Sequence, residues 1–400
     1  MSQAPLSSPP DARRLFATRG FRGFADGLVS VLLASHLSNL GYSPTEIGAI
    51  VTGTLLGSAA LTLAVGLLGA RLPRRTVLLG ASAVMLATGV GFFAFIGFWP
   101  VLAVAVIGTL NPSSGDVSVF LPVEQAVMSE VVPPLGRTWA FARYNLSGSL
   151  AGALGALASA APAAIALRMR SDPASAPRWA FLVYSAIAAV IASLYLGLSP
   201  AIETRADAPA RPLAKSRAVV MRLSLLFCLD ALGGGFVVQS LLALWLFRRF
   251  DMSLASAGAV FFGMSILAAF SQLLAAPLAG RFGLIRTMVF THLPANAFLV
   301  LAALMPNATL AVLFLLLRMS LASMDVPARQ TYVMSVVPPE ERAAAASVTN
   351  VPRSLAAATT PFLAGMLLER STFGWPLVFG GLAKILYDVL LLIHVRDIRG

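Results

Sequence analysis

Twelve ionisable side chains stand inside stretches otherwise made of Ala, Leu, Val, Gly and Phe, and through them this chain could do chemistry. They are Arg22, Arg143, Arg318, Arg329, Arg353 and Lys384 against Asp26, Asp116, Glu124, Asp230, Asp325 and Asp388. An ionised group at mid-bilayer depth costs about 2.5–3.5 kcal/mol on insertion scales, so each needs a partner, a watery cavity, or both. The signs balance one for one, which suits paired groups and selects neither anions nor cations as a ligand. Helical spacing pairs some of them locally: Arg22 with Asp26, Asp325 with Arg329 and Lys384 with Asp388 are each four residues apart. For Lys384 and Asp388 the expectation is a structural lock.

Asp230 has no basic neighbour on its own helix. An isolated carboxylate in a low-dielectric site holds its proton near neutral pH, as a proton carrier must. Asp230 is therefore the preferred proton-coupling candidate, with Asp26 and Asp116 behind it; the alternative is a structural ion pair with Arg143, Arg318 or Arg353. Arg318, Asp325 and Arg329 fall at i, i+7 and i+11, one stripe of a helix that must face the interior.

The stretch from Asn111 to Arg137 is built twice. In its second copy, from Ser323 to Arg342, Pro327, Gln330, Val336, Val337, Pro338, Pro339 and Arg342 repeat Pro122, Gln125, Val131, Val132, Pro133, Pro134 and Arg137 at one constant offset. A repeat near half the chain length implies two equivalent halves. Glu124 in the first copy becomes Arg329 in the second. The two can form a salt bridge that gates the cytoplasmic side, or each can pair locally, Glu124 with Arg143 and Arg329 with Asp325. The first copy opens on Asn111-Pro112-Ser113-Ser114-Gly115-Asp116, which interrupts a helix and frees backbone groups. Such breaks serve substrate and ion binding in transporters or are packing kinks. Arg22, Asn111, Ser114, Arg318 and Asp325 are the candidates for lining a substrate cavity. Gly148, Gly152 and Gly155 allow close helix contact.

The elements that position these residues follow from composition. A chain that is 58% hydrophobic and 12% charged over 400 residues has about half the charged share of a soluble protein. The apolar runs suit twelve transmembrane helices of about 20 residues, an all-α membrane protein. The expected divisions are a disordered tail at 1–14, a six-helix bundle at 15–199, a linker at 200–222 and a second six-helix bundle at 223–400. Basic residues crowd one set of ends and loops, among them Arg71, Arg74, Arg75, Arg281 and Arg286, so both termini are expected in the cytoplasm. The net charge of +12 is accounted for by that asymmetry, and nucleic-acid binding is not expected. Cys228 stands alone, so no internal disulfide forms. His36, His292 and His394 lack ligand spacing, and neither a metal nor an enzyme signature is found.

The loop Gly66-Leu67-Leu68-Gly69-Ala70-Arg71-Leu72-Pro73-Arg74-Arg75, echoed at Ala279 to Thr287, resembles the signature between spans two and three of the major facilitator superfamily. The V-V-P-P-E-E-R-A run is similar to that family's turn after span ten. Ala70, and Gly280 in the second copy, stand where the signature holds an Asp that latches the cytoplasmic face in relatives. The resemblance implies two pseudo-symmetric six-helix bundles that rock about a midplane site, with Arg71, Arg143 and Arg281 joining Glu124 and Arg329 as gate candidates. The glycine-rich fifth span is similar to that of the family's drug antiporters. The expected activity is secondary active transport of a small solute across the bacterial inner membrane, by a monomer without cofactors, with protons as coupling ion. Export of a toxic amphipathic compound is the first expectation. Uptake of a small organic nutrient or anion by proton symport is the alternative, followed by a non-transporting membrane sensor or membrane enzyme.

Overall fold

The computed structural model describes residues 10–68, 72–113, 119–133, 137–170, 172, 175–203, 214, 216–338 and 341–399. Ser114, Asp116 and Arg71 lie outside them, as do residues 1–9 and residues 204–213 and 215 of the expected linker. Sixteen α-helices follow one another among the described residues: α1 (Pro10–Asn39), α2 (Pro44–Leu68), α3 (Arg74–Ala94), α4 (Phe98–Ile107), α5 (Phe120–Val131), α6 (Arg137–Ala158), α7 (Ala161–Arg168), α8 (Trp179–Leu196), α9 (Arg217–Gly235), α10 (Gln239–Phe250), α11 (Leu254–Phe282), α12 (Leu284–Leu304), α13 (Ala308–Ala322), α14 (Asp325–Ser335), α15 (Arg342–Arg370) and α16 (Trp375–Arg399). Among the described residues, nine segments are long and apolar enough to cross a membrane. The three remaining expected spans fall on α1, on α4 with α5, and on α15. Charge inside α1 and α15, and the break between α4 and α5, keep these three below a purely apolar threshold.

The packing repeats with the sequence. Helix α1 packs on α6 as α9 packs on α15, and α3 packs on α8 as α12 packs on α16. The halves meet where α2 lies on α15 and α6 on α11. Between α11 and α12 the chain turns on Gly283 alone, at φ 87°, a left-handed conformation that suits glycine.

Two expected boundaries move. Helix α1 starts at Pro10, inside the stretch expected to be disordered, because the Asp11 carboxylate anchors it: Oδ1 accepts from Ser199 N at 3.1 Å and Oδ2 from Ser199 Oγ at 2.5 Å. Helix α9 starts at Arg217, within the expected linker, where Glu341 accepts from Ala214 N, Ser216 N and Ser216 Oγ. Glu203 likewise accepts from Arg74 N at 2.7 Å and Arg75 N at 3.0 Å at the start of α3. In all three places an acid meets exposed N–H groups at a helix end.

Candidate functional site

Each half holds one buried ionic cluster. In the first, Glu124 on α5 is wholly buried; Arg22 Nη2 donates to its Oε2 at 2.7 Å, and Thr18 Oγ1 and Tyr195 Oη donate to its Oε1 at 2.6 and 2.5 Å. Tyr144 Oη donates to Oε2 as well, and the Arg22 guanidinium stacks over Phe120 at 4.7 Å. Four helices thus close on one carboxylate and leave it no lone pair to spare.

In the second half the sign of the arrangement is reversed. Asp230 on α9 is the hub. It receives Lys384 Nζ at 2.5 Å and Arg329 Nη1 at 3.1 Å, with Arg353 Nη2 and His292 Nε2 each at 3.7 Å. Arg329 also bridges to Asp325 at 3.1 Å, and Asp388 takes His292 Nδ1 at 2.9 Å and Asn296 Nδ2 at 3.0 Å.

These contacts correct several sequence expectations. Asp230 is not a lone carboxylate, so the premise that made it the preferred proton carrier is gone. Arg22 pairs with Glu124 rather than Asp26, and Lys384 with Asp230 rather than Asp388. Within the local alternative, Arg329 does pair with Asp325, whereas Glu124 takes Arg22, and Arg143 is exposed. The bridge between Glu124 and Arg329 is not formed, since each carries partners in its own half. Forming it would break two buried pairs, at about 3–5 kcal/mol each. Asn111 Oδ1 accepts from Ser113 N at 3.1 Å and Ser113 Oγ at 2.8 Å, which braces the break after α4. Arg281 lies near the end of α11, over Phe282. Gly148 and Gly152 lie against Gly23 and Gly27, and Gly155 against the Phe24 carbonyl, as close packing requires.

Between the halves lies a cavity of about 380 Å³, halfway along the spans. Helices α1, α6, α9, α10, α11, α13 and α16 and the loop after α4 contribute to it. Its charged lining is Arg19, Asp26, Arg318 and Lys384; Ser113 and Gln239 add polar groups, and Phe261 and Met264 an apolar wall. Of the cavity candidates, Arg318 lines it, as does Asp26, a proton-coupling candidate, whereas Arg22 and Asp325 lie within the buried clusters. The breaks on the two sides meet here, where Ser240 N donates to the Pro112 carbonyl at 3.1 Å. Unwound backbone at mid-membrane depth beside a cavity is where carriers hold their cargo.

The sequence profile of the Major Facilitator Superfamily matches residues 15–316 and 223–398. The chain belongs to this superfamily. It is 24% identical over 416 residues to the uncharacterized membrane protein YJR124C of Saccharomyces cerevisiae, covering 95% of this chain and 93% of that one. It is also 28% identical over 152 residues to the multidrug efflux protein YfmO of Bacillus subtilis, 38% of either chain. The crystal structure of a point mutant of the nucleoside transporter NupG superposes with a TM-score of 0.75 at 13% identity, covering 96% of this chain and 99% of that one. A two-bundle membrane transporter fold, working by alternating access, is therefore shown for this superfamily member. The sequence missed Tyr144, Tyr195, His292 and Asn296 as members of the clusters, because neutral polar residues carry no imbalance that demands a partner. One signal was available: Asp230 repeats Asp26, one helical turn from Arg22, so the sign reversal between Glu124 and Arg329 is mirrored on the first span of each half.

Proposed function

We propose that this superfamily member is a secondary active carrier of a small amphipathic organic anion, taken up together with a proton. One observation supports the anion. In the second half Arg329, Arg353 and Lys384 stand against Asp230, Asp325 and Asp388, which leaves Arg318 over. Its guanidinium lines the cavity, Nη1 meets only the Met319 sulfur at 3.1 Å, and Nε is buried without a partner. A desolvated guanidinium with donors to spare fits a carboxylate, sulfonate or phosphate, and Phe261 and Met264 fit an apolar body. Lys384 beside it is a second cation within reach. The basic ends are the cytoplasmic ends.

Co-transport accords better with this cavity than exchange does. Its charged lining carries more bases than acids, so an arriving anion is drawn in by cations rather than by displacing a proton. The export expectation rests on the antiporter-like basic loop and on carboxylates free to carry a proton, of which Asp230 is held by Lys384 and Arg329, and the similarity to an efflux protein covers 38% of the chain.

The test is uptake into proteoliposomes under an imposed inward proton gradient, over a panel of monocarboxylates, dicarboxylates, sulfonates and phosphate monoesters. At least one class should accumulate, and Arg318→Gln should weaken it by about tenfold or more, the scale of one charge-assisted hydrogen bond. Transport of neutral or cationic solutes with Arg318→Gln unaffected defeats the anion assignment. Raised tolerance of expressing cells to a toxic compound, with no accumulation in the vesicles, reverses the direction.

A further inference from the structure

One contact of the Asp230 hub plays no part in holding an anion. His292, on α12, is buried and does not line the cavity. Its Nδ1 faces Asp388 at 2.9 Å and Asn296 Nδ2 at 3.1 Å; Asn296 Nδ2 also donates to Asp388 Oδ2 at 3.0 Å, and with Asp388 ionised, and so only accepting, the shorter contact assigns the ring the donor role there. In the neutral ring the second nitrogen then carries a lone pair. That nitrogen, Nε2, points at Asp230 Oδ1 across 3.7 Å: two acceptors facing each other, further apart than a hydrogen bond. The same Oδ1 takes Lys384 Nζ at 2.5 Å. One oxygen is thus addressed from two sides, by an ammonium that lines the cavity and by an imidazole that does not.

We propose that His292 is the proton-binding residue of this carrier, and that its protonation transfers Asp230 Oδ1 from Lys384 to the imidazolium, turning Lys384 into the cavity toward the anion. This rests on the anion assignment for its consequence, not for the switch itself. The proton comes from cavity water by way of Asp230 Oδ1, which Lys384 links to the cavity, resides on Nε2 while Asp388 holds Nδ1–H on the other side of the ring, and goes back to cavity water when Lys384 returns to Asp230. Around the ring stand Asp388 from α16, the Tyr387 ring edge-on at 6.0 Å, Asn296 Nδ2 at 3.1 Å and Asp230 from α9. Arg329 with Asp325 on α14, Arg353 on α15 and Lys384 on α16 act on it through Asp230. With the ring neutral, Asp230, Asp325 and Asp388 balance Arg329, Arg353 and Lys384. With the ring charged, the hub has one positive charge in excess, which a bound anion cancels. Proton and anion therefore favour each other's binding, and such linkage is reciprocal.

The sequence holds only two lysines, so Lys215→Arg leaves Lys384 as the sole lysine signal. Full-length protein of this variant, labelled with ¹⁵N and ¹³C at His and Lys and placed in nanodiscs, is titrated by NMR from about pH 5 to 8, the range in which imidazole changes charge. Comparison with His36→Gln and His394→Gln assigns the His292 signal. The expected result is that His292 and Lys384 move with one midpoint, and that His292→Gln abolishes the Lys384 transition. A His292 that keeps one state throughout, or a Lys384 signal indifferent to it, overturns the proposal. In parallel, benzoate serves as the probe anion: its affinity should rise about tenfold from pH 8 to pH 6 and change less than about twofold in His292→Gln. If Lys384 follows His292 but benzoate and the anion panel bind at no pH, the switch stands and the anion assignment falls. If benzoate binds with the same pH response in His292→Gln, the proton sits elsewhere and the proposal fails.

Discussion

Glu124 shows how a charge is kept in this protein. It has one cation, Arg22, and three hydroxyl donors, all from its own half. Removing the carboxylate's charge strands a guanidinium that is 1% exposed. Glu124→Gln should therefore destabilise the fold by about 3–5 kcal/mol, measured as a lower midpoint of thermal unfolding in detergent. The double change Arg22→Met with Glu124→Gln should recover a large part of that loss, since the stranded guanidinium is gone and an amide oxygen can still accept from the Thr18, Tyr144 and Tyr195 hydroxyls. A double variant less stable than Glu124→Gln would mean that the pair stabilises beyond the cost of desolvating it.

Helices approach closely where glycine replaces a side chain, and the two faces of one contact differ in tolerance. A Cβ at Gly27 on α1 would run into the backbone carbonyl of Gly152, whereas a Cβ at Gly152 on α6 would sit 3.3 Å from the Gly23 carbonyl. Backbone cannot swing aside as a flexible side chain can. Gly27→Ala should sharply lower the yield of monodisperse protein in size-exclusion chromatography, while Gly152→Ala should lower it little. Equal behaviour of the two would show that α1 and α6 slide apart easily.

The halves are joined at the ends opposite the basic loops. Gly48 on α2 and Gly365 on α15 touch backbone to backbone, Thr45 N donates to Glu369 at 3.2 Å, and Phe362 N donates to Thr52 Oγ1 at 2.9 Å. Alternating access requires this seam to part. In a Cys228→Ser background, Thr52→Cys with Phe362→Cys should oxidise to a disulfide that stops transport in proteoliposomes, and reduction should restore it. Undiminished transport in the oxidised protein would show that the seam stays shut through the cycle.

Apolar runs of spanning length, the doubled Pro122 to Arg137 stretch and the crowding of arginine at alternate loops are local properties, readable residue by residue because a bilayer filters each helix by its own hydrophobicity. They sufficed for a two-bundle transporter fold. The pairing of the charges was not readable in the same way. Spacing of four residues joined Arg22 to Asp26 and Lys384 to Asp388, yet in the folded chain Arg22 reaches Glu124 and Lys384 reaches Asp230. In a medium of low dielectric an ion takes whichever opposite charge packing brings nearest, and that depends on how separate helices rotate and cross. Arg318 became visible as the surplus cation, and His292 as the bridge between two acids, only once every other partner had been placed around them.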